Sequence, residues 1–358
     1  MLTYGAEGLS QSEVLRGLYE SSKKLHRPNL HILRHTVAEQ ILFDDDNTAT
    51  AVVVRGPGGA QTLSAAREII LAAGAVDTPK LLQLSGIGDK DLLAEHNIPV
   101  VHNAPAVGQN LQDHVCVSYY YRANIKTLND DLGSLFGQAK AGLQYLLTRR
   151  GPLSMSVNQA GGFFKGSADE ALPNLQLYFN PMSYRIPDDP NANLVPEPYS
   201  GFLVAFNSCR PTSKGCVEIA SGNPSDAPLI KPNYLSTDKD IEEVIQGNRL
   251  IRHLMQAPAL KAVTVEEVSP AAEVHDEASM VEFFRQNAGS IYHLCGTCTM
   301  GPDPQTAVVD TRLRVHGVKG LRVIDASIFP NITSGNINAP VMMVAEKGAD
   351  MVLQDHSA

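Results

Sequence analysis

Apolar and polar residues alternate with a two-residue period over much of 29–73, which predicts strands at Asn29–Arg34, Val37–Phe43 and Ala49–Arg55. The polar run Asp44-Asp-Asp-Asn47 marks one turn, and Gly56-Pro-Gly-Gly59 marks another leading to a further strand pair. Arg67–Ala73 is a short apolar run of the kind buried in parallel sheets, and it passes through Gly74 into a helix predicted over Val76–Leu84. From residue 115 the texture changes. Val115–Tyr121 is strand-like, and Leu132–Leu147 has the amphipathic spacing of a helix. Proline-broken strands follow at Asn174–Phe179, Gly201–Phe206 and Gly215–Ala220. Thr237-x-x-Asp240 resembles a capping box, and Ile241, Val244, Ile245, Ile251 and Leu254 recur behind it at helical spacing. A second helix is expected over 276–287, ending near Gly289. Gly320–Asp325 reads as a strand ending in an acid, and a last helix is expected from Pro340 to Gln354. The pattern predicts an α+β (mixed α/β) chain. Residues 1–115 and 290–358 would form one domain, and 116–289 an antiparallel sheet backed by helices.

A hydrophobic content of 43% in 358 residues is enough for one large core or two moderate ones. The formal charge of −9 argues against a nucleic-acid surface, which needs a basic stripe. No apolar run approaches a membrane span, and the first residues lack the basic and apolar regions of a secretory signal, so the default location is cytoplasmic. Cys295-Gly-Thr-Cys298 spells C-x-x-C, but it lies in a Gly/Thr-rich loop without a second such pair. Two reduced loop cysteines are expected, and no metal site.

Four stretches carry the candidate chemistry. They are Gly74-Ala-Val-Asp-Thr-Pro79-Lys-Leu-Leu-Gln-Leu-Ser85-Gly-Ile-Gly88, Val107-Gly-Gln-Asn110-Leu-Gln-Asp-His114, Tyr292-His293-Leu-Cys-Gly296-Thr297-Cys-Thr-Met300-Gly301, and Val323-Ile-Asp325-Ala-Ser327 running on to Ser334-Gly-Asn336-Ile-Asn338-Ala-Pro340. In this order they resemble the signature, the segment after it, the histidine loop and the C-terminal strand and helix of the glucose–methanol–choline (GMC) oxidoreductases. The look is that of the family's choline and alcohol dehydrogenases.

The resemblance implies an FAD-linked oxidoreductase acting on the CH–OH group of a primary alcohol, with hydride passing to flavin N5. It makes His293 the base that takes the hydroxyl proton, a task that suits a histidine near neutrality. Asn336 matches a second catalytic position, from which an amide can donate to the alcohol oxygen without titrating. Flavin contacts are implied at Gly74, Asn110, Asp325, Ala326, Asn338, Ala339 and Pro340. Independently of family, the N-terminus of the last helix offers free N–H groups and a positive dipole end to an anionic ring. A strand-end acid such as Asp325 could instead cap the turn that follows it.

The family's N-terminal βαβ unit, whose G-x-G-x-x-G turn grips the pyrophosphate, has no counterpart in the sequence. The chain is therefore expected to hold FAD weakly by itself and to show an apolar face on its 29–115 and 290–358 part. A second chain or self-association would cover that face. Two alternatives stay open: a lyase or isomerase on a scaffold that lost FAD, and a non-catalytic subunit of a split flavoprotein. With no tryptophan and only Tyr292 beside the histidine, a neutral alcohol is favoured over choline.

Overall fold

The computed structural model describes residues 29–156, 158–185, 195–271 and 274–357. The segment before residue 29 lies outside them. The chain divides into two compact units, one made of 1–113, 214–234 and 293–358, the other of 114–213 and 235–292.

In the first unit Val37–Phe43, Ala49–Gly56 and Gly59–Ser64 form an antiparallel meander with Ile41 opposite Val52. Gly56 faces Gly59 across a two-residue turn, where Gly59 takes a left-handed φ of 95°. Ile41, Ala49, Ala51 and Val54 are buried; Ala49 and Ala51 follow the two-residue alternation, while Val54 falls out of phase with them. One strand, not two, follows the glycine turn. Asn29–Arg34 is not a strand: its residues are mostly exposed, and among the described residues no strand pairs with them to satisfy their backbone groups.

The short apolar run forms a strand at Ile69–Leu71, parallel to Leu321–Val323, with Leu71 opposite Val323. Both ends of the chain thus contribute to one core, in which Leu71, Leu82, Ile87, Val309, Val323 and Ile328 are buried. The Gly74–Leu84 helix leaves the first strand directly. The last helix begins at Asn338, two residues before the expected Pro340, and runs to His356. Gly348 lets it lie close, since a Cβ there would come within 2.7 Å of Ile324. Its far end is held by Asp355, which pairs with Arg322, Arg314 and Arg312; the nearly buried Arg322 also meets Glu68 at 2.6 Å.

Residues 214–234, assigned from sequence to the sheet domain, belong instead to the first unit. The reason is backbone pairing. Gly215 exchanges both hydrogen bonds with Leu111 at 2.9 Å, and Val217 N donates to Gly108 O at 2.7 Å. The buried Gln83 fastens the hairpin from the other side, donating to Val217 O and accepting from Ile219 N.

The second unit is a six-stranded antiparallel sheet. Its main path runs Thr264–Ser269, Val115–Ala123, Gly201–Ser208, Leu175–Asn180, Ala160–Phe164. The helices Asp238–Met255 and Glu277–Asn287 pack their Val244, Ile245, Ile251 and Phe284 on the face carrying Tyr119, Val204 and Phe206. Thr237 caps the first helix through Asp240 N, as its sequence indicated. Gly247 permits the close approach, because a Cβ there would overlap the Phe206 ring. The opposite sheet face carries Asn180 and Asn207, whose Oδ1 atoms, like the Tyr178 hydroxyl, are buried with no hydrogen-bond partner among the described residues. The helix expected over 132–147 is broken at Gly133-Ser134 into Leu128–Leu132 and Leu135–Thr148, because the Ser134 hydroxyl caps the second piece through Gly137 N.

Candidate active site

The four motif stretches meet in the first unit through their backbones. Gly108 N donates to Thr297 O at 2.8 Å, and Gln112 and Cys295 exchange bonds of 3.0 and 2.9 Å. Cys298 N and Met300 N donate to Ser327 O and Ile328 O at 2.7 and 2.9 Å. The Thr297 hydroxyl closes the ring by donating to Ala75 O at 2.7 Å. Loops that would otherwise fluctuate are cross-braced into a fixed frame.

His293 is buried, and its orientation begins one residue earlier. Tyr292 sits in the left-handed region at φ 63°, a conformation that a bulky side chain rarely adopts. Tyr292 is 79% exposed, while His293, the next residue, turns inward. The His293 N–H donates to Asp113 Oδ1 at 3.0 Å, and Asp113 Oδ2 accepts from the Tyr234 hydroxyl at 2.7 Å. The carboxylate thus fixes the backbone that presents the histidine. Asp113 and Tyr234 were missed in the sequence. Asp113 lay within the second motif, next to His114, whereas nothing local marks Tyr234.

Asn336 lies on the exposed approach to the last helix. Gln112, also missed, ties that approach to the histidine loop. Its backbone pairs with Cys295, its Nε2 donates to Pro330 O at 3.2 Å, and its Oε1 accepts from Ile332 N at 3.2 Å. Asn338, Ala339 and Pro340 form the first turn of the last helix. Its N-cap residue, Ile337, makes no side-chain cap bond. The first-turn N–H groups therefore lack the acceptor that a Ser, Thr, Asp or Asn cap would bring.

Asp325 is buried and fully occupied by its own chain. Oδ2 accepts from Gly74 N at 2.9 Å and from the Thr78 hydroxyl at 2.7 Å, while Oδ1 accepts from Ser327 N at 2.8 Å and the Ser327 hydroxyl at 2.5 Å. It caps the short Ala326–Ile328 helix and pins the Gly74 turn, where φ is 84°. Asn110, at φ 63°, spends its amide nitrogen in the same internal way, on Gly296 O, Thr299 Oγ1 and Pro330 O. Gly74, Asn110 and Asp325 thus brace the frame, and Ala326 is buried as part of the core.

Cys295 and Cys298 are free and buried. Burial pushes the Cys295 thiol up to about 12 and the Cys298 thiol well above its ordinary value, so neither is a thiolate at neutral pH. Among the described residues no group of three or more His, Cys, Asp or Glu could hold a metal, and no helix is long and apolar enough to cross a membrane.

Residues 20–116 and 211–345 match the two family domains described as GMC oxidoreductase. Over 343 residues the chain is 38% identical to an oxygen-dependent choline dehydrogenase of Escherichia coli O45:K1 (strain S88 / ExPEC), covering 96% of this chain and 60% of that protein. Among solved structures, pyridoxine 4-oxidase from Mesorbium loti is similar with a TM-score of 0.77 and 28% identity, over 92% of this chain and 59% of that one. A formate oxidase of Aspergillus oryzae RIB40, solved in connection with modification of its FAD, gives a TM-score of 0.83 and 27% identity, over 92% and 62%. The chain spans about 60% of the length of the curated relatives it matches.

Proposed function

The chain belongs to the GMC oxidoreductase family, and on that premise we propose that it supplies the substrate-activating part of an FAD-linked oxidoreductase acting on the CH–OH group of a primary alcohol. The observation that carries this reading is the buried His293, held through Asp113 in the frame that also carries the uncapped N-terminus of the last helix. The residues fit an isoalloxazine ring. Asn338 and Ala339, with the first-turn N–H groups, would face its anionic pyrimidine edge. Asp325, Asn110 and Gly74 would support that edge from behind, since their polar groups are already engaged. FAD, when bound, supplies the acceptor for the hydride that leaves the alcohol carbon.

His293 takes the hydroxyl proton as that carbon–hydrogen bond breaks. A positioned base of this kind contributes about 10²- to 10⁴-fold in rate. Asn336 donates to the alcohol oxygen as negative charge builds there, without a protonation change of its own. Asp113 is a positioning residue: it holds the His293 backbone and is itself held by Tyr234.

The test is reconstitution. The 358-residue chain is titrated with FAD, alone and with a polypeptide carrying a dinucleotide-binding βαβ unit, and challenged with neutral primary alcohols and choline. Flavin uptake should be weak alone and strong with the partner, and alcohol should then bleach the flavin bands. A reconstituted complex that binds flavin and ignores every alcohol would refute the reading.

A further inference from the structure

The Leu135–Thr148 helix carries its apolar stripe on the side away from the protein. At 100° per residue, Leu135, Phe136, Ala139, Leu143, Leu146 and Leu147 fall in an arc of roughly 120°. All six are exposed, with Leu135 at 84%, Phe136 at 81% and Leu147 at 75%. Ala141 is the buried residue of this helix, and Gly137, Gly142 and Tyr145 are half-buried with it, so the helix rests on its small-residue side. The Pro152–Ser154 turn packs against it and adds exposed Leu153 and Met155. Such an arrangement is costly in water and marks an interaction surface.

Charge identifies the partner. In a chain with 38 acidic and 29 basic residues, the stretch 132–168 contains no Asp or Glu and four bases: Lys140, Arg149, Arg150 and Lys165. Lys140 borders the apolar arc, and Arg149 and Arg150 sit exposed at its C-terminal end, Arg149 lying over the Tyr145 ring. A second copy docking through the same patch would set these cations against one another. An apolar stripe edged by basic side chains is instead the pattern of a helix lying in the plane of a negatively charged membrane surface.

We propose that this helix and turn dock the protein peripherally on an anionic lipid bilayer, with Leu135, Phe136, Leu143, Leu146 and Leu147 entering the interface and Lys140, Arg149 and Arg150 reaching the headgroups. The surface belongs to the sheet unit and includes none of the residues assigned to proton transfer, so it does not depend on the redox reading.

Sedimentation of the full chain with phosphatidylglycerol–phosphatidylcholine vesicles, and with phosphatidylcholine alone, tests the proposal. Binding should require the anionic lipid and weaken as salt is raised. Lys140→Glu with Arg150→Glu should lower partitioning by at least about 30-fold, as loss of two interfacial cations implies. Phe136→Ser with Leu147→Ser should abolish it while leaving circular dichroism unchanged; if that variant fails to fold, the charge variant decides alone. No sedimentation with either vesicle overturns the proposal. So does equal binding to both, and so does a chain that ignores lipid but forms a dimer which the Phe136→Ser, Leu147→Ser variant dissociates.

Discussion

Replacing Asp325 by asparagine separates two roles that a strand-end acid could play. In the folded chain Oδ1 accepts twice from Ser327 and Oδ2 accepts from Gly74 N and Thr78 Oγ1. Asparagine is nearly isosteric and can keep one oxygen, but its NH₂ must replace the other. If the oxygen stays toward Ser327, two donors face each other at Gly74, whose N–H cannot rotate away. Thr78 can turn its hydroxyl to accept from the new NH₂, since only one of its two lone pairs takes Ala73 N at 3.1 Å, but the Gly74 N–H is left facing a donor. One half-buried N–H then loses its acceptor, at a cost of about 1–3 kcal/mol, and the charge assistance of the remaining bonds is lost, worth roughly another 1 kcal/mol. The expected loss is about 2–4 kcal/mol, or roughly 30- to 800-fold in the opening equilibrium of the first unit. Amide hydrogen exchange at Gly74 and Ser327, with urea unfolding followed by circular dichroism, measures it. Asp325→Ala, which strands every donor, should cost more. A variant that keeps wild-type exchange and stability but loses flavin affinity would show that Asp325 acts on the cofactor and that the bracing argument is wrong.

In the reconstituted complex, His293→Asn should lower kcat for alcohol oxidation by about 10²- to 10⁴-fold with flavin content unchanged. Asn336→Ala should cost about 10²- to 10³-fold. Steady-state rates and the visible spectrum check both, and a fully active His293 variant would remove the base assignment. Native Cys295 and Cys298 should resist alkylation at mildly alkaline pH and react once the chain unfolds, because burial keeps both protonated; rapid native labelling, read by mass spectrometry, would contradict this. Arg322 foremost, then Arg314, holds the Asp355 carboxyl below its ordinary range. A depressed folded-state pKa stabilises above the unfolded value of about 3.9, and that contribution fades as pH falls below it. Asp355→Asn should therefore flatten part of the acid limb in a pH series of melting temperatures, and an unchanged limb would discount the cluster.

Local signals in the sequence determined the elements with strong periodicity. The Thr237 cap and the apolar spacing behind it specify the Asp238–Met255 helix, because capping and amphipathicity are properties of a few neighbouring residues. The candidate residues were legible for a related reason: His293, Asn336 and Asp325 sit in short stretches whose residue types are specific in combination. The tertiary structure decided what those residues touch. Asp325 becomes a brace through Gly74, 251 residues away, and Asp113 reaches His293 across 180. It also decided that residues 214–234 leave the strands around them, since Gly215 and Val217 satisfy their backbones on Leu111 and Gly108. The direction in which the Leu135–Thr148 helix turns its apolar stripe was equally beyond local reading. Periodicity shows that a helix has an apolar face, but only packing shows whether that face meets the core or the solvent.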